Sequence, residues 1–286
     1  MNKTKKNINR MLMLSVVALT AVSCGSGKET PKEESPKILV LYYSQTSNTK
    51  AVATEIATRL GAAMEEIVAV HPYDSSFQAT IDRCKQEFEQ GIVPEIQALK
   101  ADISHYDIIF LGYPVWFGTY APPVAAFLNQ ADLSGKKIVP FCTFGSGGLE
   151  SSVKALAEKQ PKAELLPGYG VRAARMGAMP EEVEQFLIAG GFLEGEYTPL
   201  ADFPEQHAVN EGEEAVFNAA VDGYPMIHAK AVSVAARSIP EGIEYLFTAK
   251  DLSREEKSEA SAPAMQVYVT VAKGETPVFT KVVRDL

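Results

Sequence analysis

The chain has 286 residues, of which 46% are hydrophobic and 22% charged, which suits about two domains with packed cores and excludes a disordered chain. Its formal net charge of −9 argues against a nucleic-acid-binding protein, which would carry a basic stripe. Three cysteines are too few for a disulfide framework or a four-cysteine metal site.

The N-terminus is typical of a bacterial export signal. Four cations precede a short apolar run over residues 11–20, and this run is too short for a transmembrane helix. The segment Ala21-Val22-Ser23-Cys24 then resembles the lipobox of bacterial lipoproteins, which implies a signal peptide over residues 1–23 and lipidation of Cys24. We therefore expect an exported, membrane-anchored lipoprotein of the bacterial cell envelope, on the periplasmic face or the cell surface. An ordinary cleaved signal peptide is the alternative.

The chain after the signal is acidic. Loss of the four N-terminal cations, Lys3, Lys5, Lys6 and Arg10, would leave a formal charge of −13. Residues 24–36 are rich in Glu, Ser and Pro and predict a solvated tether. Cys84 and Cys142 form no CxxC motif, and we interpret both as small hydrophobic residues rather than redox or metal ligands.

From residue 37 onward, short apolar strands alternate with helices. Strands are predicted at 37–43, 65–70, 107–113, 138–143 and 168–171, and helices at 48–60, 78–90, 123–129, 149–159 and 180–189. Continuous apolar runs are typical of parallel strands that are buried on both faces. The alternation predicts an open, doubly wound parallel sheet, in which ligands bind at the carboxyl ends of the strands.

The first loop, residues 44–49, joins the first strand to the first helix. It contains Ser44, Gln45, Thr46, Ser47, Asn48 and Thr49. Hydroxyls and free backbone N–H groups at a helix N-terminus can bind a phosphate without Lys or Arg. Plain helix capping would use the same residue types. The loop has neither the GxGxxG of dinucleotide folds nor the GxxxxGK[ST] of P-loops.

Two further loops follow the third and fourth strands. The second loop, residues 112–123, holds the only Trp of the chain among Gly and Pro residues, which suits a stiff apolar surface for a flat ring. Gly118 can adopt a positive φ there without steric cost. The third loop, residues 143–148, is rich in glycine and offers backbone donors at close approach. Core packing and a flexible connection are the structural alternatives. A phosphate loop, an aromatic wall and a glycine wall together match the geometry of an FMN site.

Residues 37–192 resemble the flavodoxin family through the segments LVLYYSQT, IIFLGYPVWFGTYAPP and FCTFGSGG. The resemblance implies a five-stranded sheet in the order 2-1-3-4-5 and non-covalent FMN. It assigns cofactor binding to the six residues of the first loop, to Pro114, Val115, Trp116, Phe117 and Gly118, and to Thr143, Phe144, Gly145 and Gly148, with Trp116 stacking on the ring. The family usually has Gly where Ser47 stands. If that position needs a positive φ, serine costs about 1–2 kcal/mol, or roughly tenfold in affinity.

By the same resemblance, the protein is an FMN-dependent oxidoreductase or electron carrier, with a redox partner protein or a small-molecule acceptor. A carbonyl near Phe117–Gly118 would accept a hydrogen bond from the reduced flavin. No catalytic base, nucleophile or metal-ligand set is recognisable, because the four histidines lie in no partnered motif.

Residues 193–286 change character and predict a smaller α+β domain. A helix over 211–221, with Ala215, Val216, Ala219 and Ala220 on its apolar face, precedes strands at 226–237, 242–250, 265–273 and 277–284. This order is similar to the cystatin fold, although the hairpins lack the QxVxG and Pro-Trp motifs of cystatin inhibitors. We interpret this domain as an interaction or stabilising module. A non-redox scaffold acting through this domain is the alternative function, and protease inhibition is the least favoured.

Overall fold

The computed structural model describes residues 35–224, 227–252 and 264–284. Pro36–Leu286 forms one compact unit. The predicted signal peptide, Cys24 and most of the tether lie outside the described residues. In the ranges described, no helix is both long and apolar enough to cross a membrane.

The first part of the chain alternates strands and helices as predicted. Its elements in chain order are β1 (Ile38–Tyr42), α1 (Asn48–Leu60), β2 (Ala63–Glu66), α2 (Phe77–Gln90), β3 (Ile108–Trp116), β4 (Thr119–Tyr120), α3 (Pro122–Gln130), β5 (Lys137–Phe144), α4 (Leu149–Lys159), β6 (Glu164–Leu165), β7 (Tyr169–Arg172) and α5 (Met179–Ala189). Short 3₁₀ helices at Ile103–His105 and Ala173–Arg175 were not predicted.

The first sheet is parallel and doubly wound. Its main strands lie in the order β2-β1-β3-β5, and β6 and β7 both pair with β5 at the far edge. Since β7 is the fifth predicted strand, the predicted order 2-1-3-4-5 is confirmed. Alternate residues of the strands face two hydrophobic clusters, with α3 and α4 covering one face and α1 and α5 the other.

The far edge of this sheet is split because of a proline. Pro140 in the middle of β5 has no N–H to donate, and the ladder on that side breaks between β6 and β7. Gly168 lies at this break between β6 and β7. A Cβ at this position would lie 2.7 Å from the Pro140 carbonyl oxygen, so the close approach requires glycine.

The second predicted strand is shorter than expected. The prediction covered 65–70, but β2 ends at Glu66 because the chain then pairs elsewhere. Ala69 forms an antiparallel bridge with Ile96, and the Gln97 N–H donates to the Val68 carbonyl oxygen.

The C-terminal part is an antiparallel sheet with one helix, as predicted. It comprises β8 (His207–Ala208), α6 (Glu211–Val221), β9 (Ala229–Ile239), β10 (Gly242–Asp251), β11 (Ala264–Ala272) and β12 (Val278–Arg284), in the sheet order β12-β11-β10-β9-β8. The predicted apolar face of α6 is wrong in part, since Ala215 and Ala219 are exposed. Phe217 is fully buried instead and packs edge-on against Phe247. Met226 and the loop around 253–261 lie outside the described residues.

Candidate functional site

The three predicted loops converge at one end of the first sheet. They follow β1, β3 and β5, which are adjacent strands with their carboxyl ends on the same edge. A buried hydrogen bond of 2.8 Å between the hydroxyls of Thr49 and Thr143 joins the first loop to the third. The Ser151 hydroxyl of α4 donates to the Gly118 carbonyl oxygen at 2.6 Å and ties the second loop to the helix after the third. The loops therefore form one continuous site.

The first loop presents unbonded backbone donors at the start of α1. Among the described residues, none accepts a hydrogen bond from the N–H groups of residues 46–49. The next two N–H groups are satisfied, Lys50 by the Ser44 hydroxyl at 3.2 Å and Ala51 by the Ser47 carbonyl at 2.9 Å. Free N–H groups at the positive end of a helix dipole favour an anion. The loop therefore has the donor set of a phosphate site built without a cation.

Ser47, which stands where the family usually has Gly, does have a positive φ: it is left-handed, with φ 66° and ψ −5°. It is the N-cap of α1, yet its side chain makes no capping hydrogen bond. This backbone shape turns consecutive N–H groups toward one concave surface, as in anion-binding nests. Serine bears the steric cost of the left-handed region because it stands where glycine would be free of it.

Not all side chains of the first loop are available to a ligand. The Gln45 amide donates to the Asp74 carbonyl at 2.9 Å and accepts from the Tyr43 hydroxyl at 2.8 Å, so it braces the segment after β2. Thr49 is buried in its bond to Thr143. Thr46 and Ser47 are exposed, and Asn48 is half-buried with its amide 3.4 Å from the Thr46 hydroxyl.

The second loop is a tight hairpin between β3 and β4. Its two turn residues, Phe117 and Gly118, have φ values of 49° and 78°, which match a type I′ turn. Trp116 is half-buried and packs edge-on against Tyr43 and Tyr73, with ring centroids 5.9 and 5.1 Å apart. The most exposed aromatic of the loop is Phe117, at 59% exposure. The predicted stacking residue thus lies in an aromatic cluster, and Phe117 forms the exposed tip.

A partly buried ion pair on α2, between Arg83 and Glu87, supports that aromatic cluster, and sequence reasoning missed it. Glu87 is 6% exposed and accepts hydrogen bonds from the Tyr73 hydroxyl at 2.5 Å and from the Arg83 Nε at 2.9 Å. The Arg83 guanidinium lies 3.9 Å from the centroid of the Tyr73 ring. Burial and the bond to Glu87 raise the pKa of Tyr73 well above its ordinary value. The sequence did contain an Arg and a Glu four residues apart on a predicted helix. Such a pair usually lies on the surface, so it did not indicate a role in the site.

The third loop brings backbone close to the second. Gly148 has φ 113°, and a Cβ there would lie 2.6 Å from Cγ1 of Val115. Thr143 and Phe144 end β5 with buried side chains, and Gly145 begins the exposed part of the loop. Pro114, at the end of β3, pairs with Thr143 and is half-buried. The glycine wall is therefore made of backbone, as its sequence predicted.

These residues fit FMN. The neutral nest suits a phosphate, the exposed Phe117 and half-buried Trp116 suit a flat ring, and the glycine backbone leaves room beside it. Over residues 35–224, 227–252 and 264–284, no group of three or more His, Cys, Asp or Glu side chains is placed to hold a metal ion.

Comparison with known proteins identifies the family. A family model described as Flavodoxin matches residues 37–183. A curated relative, an NAD(P)H dehydrogenase (quinone) from Azorhizobium caulinodans, is 32% identical over 95 residues, 33% of this chain and 46% of the relative. The chain thus matches about half the length of that relative.

Two solved structures are also similar to this chain. An FMN complex of a Lactobacillus acidophilus flavoprotein is 27% identical, with a TM-score of 0.44 and coverage of 48% of this chain and 93% of that one. A candidate flavoprotein from Bacteroides eggerthii is 26% identical, with a TM-score of 0.49 and coverage of 54% and 98%. The family model matches slightly more than half of the residues of this chain. The chain therefore belongs to the flavodoxin family, whose cofactor is FMN.

Proposed function

We propose that this protein is an exported, lipid-anchored FMN protein that transfers electrons to a partner protein or reduces a small-molecule acceptor. The observation that carries the proposal is the set of unbonded N–H groups at residues 46–49, shaped by the left-handed Ser47. Bound FMN supplies one-electron and two-electron transfer. The chain supplies binding, orientation and access.

The first loop binds the phosphate through neutral donors. N–H groups held in place by the folded backbone need no reorganisation when the anion arrives, and the dipole of α1 adds to their attraction. The exposed hydroxyls of Thr46 and Ser47 add further donors.

The second loop offers one free acceptor at the ring. The Gly118 carbonyl already accepts from Ser151. The Phe117 carbonyl accepts from no described residue, so it is the acceptor available to a flavin N–H at this turn.

An apolar acceptor suits the rim of the site. Phe117 packs edge-on against Phe88 of α2, with centroids 5.8 Å apart, and both rings are exposed, at 59% and 44%. The relative from Azorhizobium caulinodans is named for quinone reduction, which supports a flat, apolar acceptor. A partner protein could use the same exposed rings for docking.

The N-terminal pattern supports the location. Mass spectrometry of the mature protein tests it, with an acylated Cys24 as the expected N-terminus. Any other mature N-terminus contradicts lipid anchoring.

Titration with FMN, followed by flavin fluorescence, tests the function. We expect quenching with a dissociation constant below about 1 μM, and reduction of a soluble quinone by the photoreduced complex. The variant Phe117→Ala should slow acceptor reduction more than it weakens FMN binding. No binding up to about 100 μM contradicts the proposal and favours the scaffold alternative that acts through the C-terminal sheet.

A further inference from the structure

The C-terminal sheet reaches the site through its edge strand. β12 lies at the end of that sheet, so one side of its backbone has no strand partner. On that side, the Val282 N–H donates to the Ser146 carbonyl oxygen of the third loop at 2.7 Å. The Phe279 carbonyl oxygen accepts from Nη1 of Arg172, at the end of β7, at 2.8 Å. The third loop and β7 therefore cover the open edge of β12.

The approach between β12 and the third loop requires glycine. Gly147 has φ 140°, and a Cβ at this position would lie 2.7 Å from the Val282 carbonyl oxygen. Gly145 is similarly confined, since a Cβ there would lie 3.0 Å from the Tyr224 hydroxyl. The glycine content of this loop thus serves contact with the C-terminal part as well as space for a ligand.

Arg172 joins the two sides. Its Nε donates to the Gly145 carbonyl oxygen at 2.7 Å, while Nη1 binds Phe279. The guanidinium also lies 3.6 Å from the centroid of the Phe279 ring. A second link follows the loop, where Lys281 of β12 forms an ion pair with Glu150 in the first turn of α4.

We propose that the C-terminal sheet is a positioning element of the flavin site, with β12 and Arg172 holding the third loop in its binding geometry. The inference rests on the proposed FMN binding. Loop residues that are already ordered lose less conformational entropy when a ligand binds, so affinity depends on what orders them. Coupling between two sites is reciprocal, so FMN must in turn stabilise the contact at β12 by the same factor.

Arg237 provides a matched control for Arg172. It also donates to a backbone carbonyl, that of Ala201 at 2.9 Å, and lies over a phenylalanine ring, that of Phe203, at 4.2 Å. Among the described residues it also forms an ion pair, with Glu244 at 2.7 Å, which Arg172 does not. All of these contacts are within the C-terminal part and do not involve the third loop. In the full chain, we expect Arg172→Leu to raise the FMN dissociation constant about tenfold or more and Arg237→Leu to change it less than about twofold.

The conservative variant separates positioning from general destabilisation. Arg172→Lys keeps the charge but cannot bind both carbonyls with a planar fork, so its affinity should lie between those of wild type and Arg172→Leu. Equal FMN affinity of folded Arg172→Leu and wild type, checked by circular dichroism, overturns the inference while leaving FMN binding intact. Absence of binding by wild type overturns both.

A measurement on wild type alone covers the case in which Arg172→Leu does not fold. Amide hydrogen exchange should slow across residues 278–284 when FMN is added, with β9 on the other side of the sheet unchanged. Unchanged exchange over 278–284 at saturating FMN contradicts the coupling.

Discussion

The first and third loops lie side by side, joined by the Thr49–Thr143 hydrogen bond, but their backbone groups differ in hydrogen bonding. In the first loop, the N–H groups of residues 46–49 have no acceptor among the described residues. In the third loop, the Gly145 carbonyl accepts a hydrogen bond from Arg172, and the Ser146 carbonyl accepts one from Val282 of β12. β12 lies more than a hundred residues after this loop in the sequence. The proposed phosphate site is therefore local to one turn, whereas the third loop contacts the distant end of the chain.

The largest expected effect comes from filling the third loop. Gly148→Ala places a Cβ 2.6 Å from Cγ1 of Val115 in a residue with φ 113°. Strain plus the clash should lower the free energy of unfolding by about 2–4 kcal/mol and weaken FMN binding more than about tenfold. Chemical denaturation and flavin titration measure the two effects.

Gly61→Ala is the control for the Gly148 variant. Gly61 also has a positive φ, 59°, but nothing lies within 4 Å of its Cβ position. It should lose about 1 kcal/mol of stability and no FMN affinity. Equal affinity loss in both variants would mean that backbone strain, not contact with the second loop, governs the site.

A second variant tests the support under the second loop. Glu87→Ala leaves the Tyr73 hydroxyl and Arg83 without their buried partner and should lower the free energy of unfolding by about 1–3 kcal/mol. Because Trp116 is the only tryptophan and packs on Tyr73, its emission should shift to the red. Glu89 is the control, because it lies on the same helix and forms an exposed ion pair with Lys85. Glu89→Ala should change neither the free energy of unfolding nor the emission. An unshifted emission in Glu87→Ala would remove the link from α2 to the site.

Ser47→Gly tests the open first loop and should have a smaller effect. The left-handed shape belongs to the folded backbone of the loop, so its cost falls on folding rather than on binding. We expect the free energy of unfolding to rise by about 1 kcal/mol, with FMN affinity changed only by loss of the hydroxyl. Ser76→Gly is the matched change, since Ser76 caps α2 in extended conformation and accepts from the Ala79 N–H. It should destabilise by a few tenths of a kcal/mol. Destabilisation by Ser47→Gly would contradict the strain at this position.

The smallest expected effect is the reaction of the two buried thiols with a labelling reagent in the native protein. Cys84 and Cys142 are free and buried, at 1% and 0% exposure. Burial raises the pKa of the Cys84 thiol to about 12 and that of Cys142 further, so both stay protonated at pH 8. Native protein should react with a disulfide reagent much more slowly than unfolded protein. Fast labelling of Cys142 would show that β5 opens beneath the third loop.

Sequence patterns predicted the elements that have their own periodicity. The bounds of α1 and α4 match the prediction at both ends, because Ser47, Gly61 and Gly148 stand at their ends. Two-residue strands such as β4, β6 and β8 carry no period and were missed. The packed side of α6 was predicted only in part. Val216 and Ala220 do contact the core, but Phe217 is buried there in place of Ala215 and Ala219.

The features of the candidate site also divide into those that the sequence predicted and those that depend on tertiary contacts. The three loops and the positive φ at Gly118 followed from local chemistry, whereas the question of a positive φ at Ser47 came from the family resemblance. The inward packing of Trp116, the buried Glu87 and the contact of Arg172 with Phe279 depend on tertiary partners that no local pattern records.

In the proposed site, neutral N–H groups of the first loop hold the phosphate of FMN. Parallel titrations with FMN and with riboflavin, which lacks the phosphate, measure how much the phosphate contributes to binding. If these N–H groups bind the phosphate, FMN binds about a hundredfold or more tighter than riboflavin, a difference of roughly 2.7 kcal/mol. Equal affinity for the two flavins would contradict it, because the ring alone would then account for binding.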